Sequence, residues 1–193
     1  MFNLKNLFTR ALLALMLVGA AGAASAGPIY RVTIDTSSEA GSGVFDFSFL
    51  GFETAADATA VLSNFRGNYG GSEIEGDVSG SLETGIILGN SEFTSFLQSV
   101  NLGGLFGFDV EFDVQGEGDG TTFAMTLYDT AFSDLLLSQG PLVQIDLMPG
   151  VADFVSIDNA FVSVSEVPEP ATLASLALGL ALMGSTLRAR RKG

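Results

Sequence analysis

The sequence predicts an all-β fold, an antiparallel β-sandwich of jelly-roll type carrying one short helix. Three observations point there. Between residues 27 and 166, apolar and polar residues alternate with period two, the mark of strands with one buried face. Glycine clusters at 41 and 43, within 67–71, at 103–104 and within 116–120 punctuate these runs as turns. No repeat of fixed period runs along the chain, which argues against a solenoid.

The strands, in order, are expected over 29–35, 44–50, 61–65, 74–82, 106–114, 123–128, 142–147 and 161–167. In the second, Phe45, Phe47 and Phe49 alternate with Val44, Asp46 and Ser48. The fifth is cleanest: Phe106, Phe108, Val110, Phe112 and Val114 share one face, while Gly107, Asp109, Glu111 and Asp113 share the other. About eight short strands with glycine turns suit a sandwich or jelly roll. One segment breaks the period. Phe93, Phe96, Leu97 and Val100 stand at i, i+3, i+4 and i+7, and Asn90 or Ser91 can cap, so a short helix packed on the sandwich is expected over 91–100. Residues 55–60 read as a helical turn.

Both ends of the chain read as addresses rather than fold. At the start, Lys5 and Arg10 precede an apolar run over 11–20, and Ala24 and Ala26 flank a serine in the small-residue pattern that signal peptidase accepts. Residues 1–26 are thus expected to be a signal peptide, cleaved before Gly27. At the other end stand Val167, Pro168, Glu169 and Pro170, then the uncharged stretch 171–187, then Arg188, Arg190, Arg191 and Lys192. As a helix rising ~1.5 Å per residue, 171–187 covers about 25 Å of a hydrocarbon core about 30 Å thick. It is a short transmembrane helix, helped by snorkelling basic side chains. The basic end stays cytoplasmic, which sets the precursor N-out, C-in. Pro168 and Pro170 lack backbone donors and bias the residues before them to extended forms, which suits a strip that an enzyme must thread into its site.

Motif, apolar span and basic end, in this order, resemble the PEP-CTERM protein-sorting tail of Gram-negative bacteria. The resemblance implies an integral membrane exosortase as the partner that recognises and cleaves the tail, with release to, or display at, the surface of cells that make exopolysaccharide. An ordinary single-pass anchor is the plain alternative. Residues 30–37 (Tyr-Arg-Val-Thr-Ile-Asp-Thr-Ser), 77–82 (Asp-Val-Ser-Gly-Ser-Leu), 107–112 (Gly-Phe-Asp-Val-Glu-Phe) and 123–129 (Phe-Ala-Met-Thr-Leu-Tyr-Asp) are also similar to a subgroup of small PEP-CTERM proteins whose mature domain has no assigned activity. The expected organisation is therefore signal peptide 1–26, acidic β-sandwich 27–166 and sorting tail 167–193.

The whole chain has a formal charge of −14. Within 27–166 only Arg31 and Arg66 are basic against 21 of the 22 acidic residues, a net −19. Such a surface repels phosphate backbones and excludes nucleic acid as a natural partner. It also repels anionic polysaccharide unless divalent cations bridge the two. The charge itself serves solubility in a secreted domain.

The chain contains no cysteine and no histidine. A domain of this length buries enough core to stand without disulfides. Ser-His-Asp triads, Cys-His pairs and imidazole-ligated metal sites are excluded, and no catalytic residue is expected. Carboxylates remain. Asp109, Glu111 and Asp113 at i, i+2 and i+4 lie about 7 Å apart in a strand, within the ~5–9.5 Å range of a glycosidase pair. With no tryptophan to wall a sugar cleft, a solvated acidic face is the better reading. Calcium is the other use for such residues. The flexible loop 115–120 (Gln-Gly-Glu-Gly-Asp-Gly) follows the acidic strand directly, so Glu117 and Asp119, with Asp113 next, are the expected ligands if calcium binds. Their spacing is not that of an EF-hand.

The sequence therefore predicts an exported, non-enzymatic cell-surface or extracellular-matrix protein with a structural or adhesive role and no required cofactor. The alternative is a calcium- or carbohydrate-binding lectin-like module.

Overall fold

Period-two alternation does build the protein. The computed structural model describes residues 27–157 and 160–167, together with Gly179. Within it, Pro28–Val167 form one compact unit. Twelve strands follow in order: β1 Ile29–Asp35, β2 Ser42–Gly51, β3 Ala58–Arg66, β4 Tyr69–Glu75, β5 Val78–Ser81, β6 Gly85–Gly89, β7 Thr94–Asn101, β8 Leu105–Val114, β9 Thr121–Asp129, β10 Val143–Leu147, β11 Phe154–Ile157 and β12 Val162–Val167. One sheet has the order β12-β1-β8-β3-β6-β5 and the other β11-β10-β9-β2-β7-β4. Every pairing between strands is antiparallel.

Burial tracks the alternation. Phe106, Phe108, Val110 and Phe112 of β8 are buried, as are Phe45, Phe47 and Phe49 of β2, and the two faces fill one core. Phe47 sits at its centre, 5.1 Å from the Phe108 ring in an edge-on contact and 5.8 Å from Phe96. Such rings contribute both apolar area and quadrupole-favoured geometry. At one margin the buried Tyr30 of β1 closes the sandwich, its hydroxyl donating to Asp153 Oδ2 at 2.9 Å beside β11.

Three local expectations are corrected. No helix forms over 91–100: Thr94–Asn101 is a strand, with Thr94, Phe96, Gln98 and Val100 buried. The apolar spacing suggested period 3.6 because the inward Gln98 interrupts the alternation with a polar residue. Gln98 earns its buried position by hydrogen bonding. Its Nε2 donates to the carbonyls of Gly70 (3.0 Å), Gly71 (3.1 Å) and Ser99 (3.0 Å). Two of these carbonyls lie where β4 slips register against β7 between Tyr69 and Ser72. The amide thereby satisfies a β-bulge that the ladder leaves unpaired. Its Oε1 is buried with no hydrogen-bond partner among the described residues.

Residues 55–60 form no helical turn either. Ala55 makes a single parallel bridge to Asp119, and β3 begins at Ala58. The run expected as one strand over 74–82 is two strands in different sheets, β4 and β5. Gly76 makes the corner, with φ +77° and a hypothetical Cβ only 2.0 Å from the Phe93 carbonyl oxygen, so no side chain fits there.

Candidate functional site

The outer face of β8 does not behave as a uniform solvated acidic strip. Register places Arg31 of β1 opposite Asp109, and Ser63 of β3 on its other side. β3 then breaks register between Ser63 and Arg66, with Asn64 at φ +54°. This bulge turns Asn64 and Arg66 toward the same carboxylate. Arg31 grips Asp109 in a fork, Nε to Oδ1 and Nη2 to Oδ2, both at 2.8 Å. Asn64 Nδ2 donates to Oδ2 at 3.0 Å, and Arg66 Nη2 lies 3.6 Å from Oδ1. Both arginines of the −19 domain thus converge on one acid, whose side chain is 4% exposed. The Arg31 hydrogen bonds hold the Asp109 carboxyl below the usual carboxylate range, against the opposing effect of burial. The arrangement is an outer clamp across three strands. It leaves Asp109 committed and unavailable as half of a glycosidase pair with Glu111.

On the opposite sheet, Asp46 behaves in the reverse sense. Burial pushes its carboxyl up, only partly offset by the Ser95 hydroxyl at 2.6 Å, and Glu75 adds to the rise.

The expected calcium ligands lie at the end of the sandwich where β8 finishes and β9 begins. Asp119 is bound into the scaffold: its carboxylate accepts from the Thr54 hydroxyl, its amide donates to the Thr54 carbonyl at 2.9 Å, and its carbonyl accepts from Ala56. Asp113 Oδ1 accepts from Gln115 Nε2 at 2.6 Å. Glu117 is exposed in the loop. The structure does not gather the three, and among the described residues no group of three or more acidic, histidine or cysteine side chains is placed to hold a metal ion. Asn90 stitches the neighbouring loops, accepting from the Ala58 amide (2.9 Å) and donating to the Ala56 carbonyl and Thr121 Oγ1 (both 2.8 Å).

The same end of the fold is where the chain enters and leaves. Val167, last residue of β12, pairs with Ile29, first residue of β1, which in turn pairs with Glu111 near the end of β8. Gly27 is the first described residue and lies two positions before β1. Of the four expected motif residues, Val167 is described; Pro168, Glu169 and Pro170 lie outside the described residues, as do Ala24, Ala26 and the basic residues Arg188, Arg190, Arg191 and Lys192. Among the described residues, no helix is long and apolar enough to cross a membrane, and 171–187, apart from Gly179, lies outside them. Around this strand-end pole lies an open groove of ≈ 550 Å³ between Phe52, Met148, Asp119 and Asp146. Sequence patterning gave no sign of it, because the residues that wall it come from three separate stretches of chain: just after β2, the start of β9 with the loop before it, and the end of β10.

The tail is where the chain resembles known proteins. Residues 166–192 match the family model of the PEP-CTERM protein-sorting motif. The chain carries a PEP-CTERM sorting motif. The match begins at Glu166, the next-to-last residue of β12 and paired with Tyr30, so motif and folded domain share residues. A PEP-CTERM motif marks an exported protein handled by exosortase, a membrane enzyme, from a membrane-anchored precursor. No curated protein and no solved structure matches the chain.

Proposed function

We propose that this PEP-CTERM protein is a structural or adhesive component of the cell surface or extracellular matrix, without catalytic activity. Signal peptidase removes 1–26, the segment 171–187 holds the precursor N-out and C-in, and exosortase acts at the motif. The observation that carries this reading is the direct fusion of the sorting motif to the edge strand of a sandwich whose carboxylates serve as scaffold. Asp109 clamps three strands, Asp119 ties a loop to Thr54, and Asp153 closes the margin through Tyr30. A net charge of −19 keeps such a module hydrated, and divalent cations would bridge it to exopolysaccharide.

The test is terminal mass spectrometry of the protein from membranes and from the extracellular fraction, with surface attachment measured in cells lacking it. An N-terminus at Gly27, loss of 171–193 from the extracellular form and weakened attachment are expected. An intact C-terminus in every fraction refutes the sorting step, and hydrolysis of any polysaccharide by the purified protein refutes the non-catalytic role.

A further inference from the structure

The PEP-CTERM motif begins with no spacer after the fold, and this has consequences for the enzyme that reads it. Val167 is still paired with Ile29, and an extended chain covers at most ~7 Å in the two residues from Val167 to Glu169. An enzyme holding Glu169 therefore meets the strand-end pole. A patch of ordinary size, about 800 Å² per partner and so about 16 Å in radius, extends across it.

That pole presents large apolar side chains in a row from the exit point outward. Phe154 of β11 lies beside the Tyr30–Asp153 contact and is 67% exposed. Val151 and Met148 follow at 63% and 56%, then Phe52 and Leu50 at the end of β2 at 78% and 51%. At about 4.8 Å per strand, β11 to β2 is about 14 Å, about half the breadth of such a patch. Large side chains so exposed and so close together mark an interaction surface. Asp119, Asp146 and Asp153 stand among them. This mixture repels an anionic bilayer and complements a protein surface that is apolar with basic groups.

We propose that this pole is a docking surface for the membrane enzyme that handles the motif, which thereby recognises the folded domain as well as the tail. The proposal rests on the sorting reading above. The groove between Phe52 and Met148 accepts a side chain of the enzyme.

The test follows conversion of full-length precursor to processed protein, by pulse-chase, in cells that contain the enzyme. A Phe52→Ser, Met148→Ser, Phe154→Ser variant, its fold checked by thermal melting, is expected to convert about tenfold more slowly than the natural chain, a loss of about 1.4 kcal/mol. Leu105→Ser, 65% exposed at the opposite end of β8, is expected to convert normally. Normal conversion of the pole variant overturns the proposal, and so does equal slowing by Leu105→Ser. Glu169→Ala separates the two readings. Normal processing of that variant removes the sorting reading itself, whereas blocked processing beside a normally processed pole variant removes only the docking surface. A photocrosslinker at position 148 that labels lipid and not the enzyme assigns the pole to the bilayer and overturns the proposal as well.

Discussion

Replacing Asp109 by Asn tests whether the outer clamp holds the sandwich. The change keeps shape and removes one charge from a carboxylate that accepts three hydrogen bonds, two from Arg31 and one from Asn64. Hydrogen bonds to charged groups are worth about 1.5–3 kcal/mol each at full strength. The arginine side chains, however, are 43% and 50% exposed and recover water when released, so most of that gross value is lost. A net cost of about 2 kcal/mol remains, well below the ~3–5 kcal/mol of a fully buried pair that loses one member. Net charge alone predicts the opposite sign, because removing any acid from a −19 domain relieves self-repulsion. Glu111→Gln on the same strand face supplies that comparison and is expected to fall within about 0.5 kcal/mol of the natural protein.

Urea unfolding of both variants, at neutral pH and in acid, is the assay. The Asp109 carboxyl is held low in the folded state, so its contribution is complete above the ordinary aspartate value of about 3.9 and disappears as pH falls through the lowered folded value. The Asp109→Asn penalty should therefore be present at neutrality and shrink in strong acid. Equal midpoints for the two variants at neutrality, or a penalty unchanged in acid, would refute the clamp.

Other perturbations probe the core and the loops. Phe47→Ala empties the centre of the ring cluster and should cost about 3–5 kcal/mol in denaturant unfolding. Gln98→Ala leaves the Gly70 and Gly71 carbonyls unpaired, so a loss of about 1–3 kcal/mol with faster amide exchange along β4 is expected; unchanged exchange would count against the bulge assignment. Burial pushes Tyr69 up to about 12 and also raises Tyr30. Because the folded state favours the protonated phenols, stability should be intact below the ordinary tyrosine value of about 10 and fall as pH rises towards about 12, a loss softened in Tyr69→Phe. Since Asp113, Glu117 and Asp119 are not gathered, whatever calcium does to the melting temperature of this −19 domain comes from general screening of its charge, and Glu117→Ala with Asp119→Ala should leave that response essentially unchanged.

The parts of the fold that the sequence revealed are those set by local alternation. β1 has the predicted bounds, and β2, β8 and β9 are recognisable because their inward positions are uninterrupted apolar residues. β7 was hidden by Gln98, whose partners in β4 are set by a bulge and not by anything within the strand. The corner at Gly76 was hidden because alternation continues across it while the chain changes sheet.

Register is the larger gap, and it explains why the candidate sites were read only in part. Asp109 looks like Glu111 and Asp113 when only its own strand is considered. It differs because pairing across 78 positions sets Arg31 against it and a bulge brings Asn64 from the other side. The tail was legible for the converse reason: its order of prolines, apolar span and basic end needs no partner strand to be meaningful. Where those two kinds of information meet, at Val167, a locally readable motif is joined to a surface that only long-range pairing assembles. A sorting enzyme that engages this junction encounters both, so substrates with the same tail but different strand-end poles should be processed at different rates.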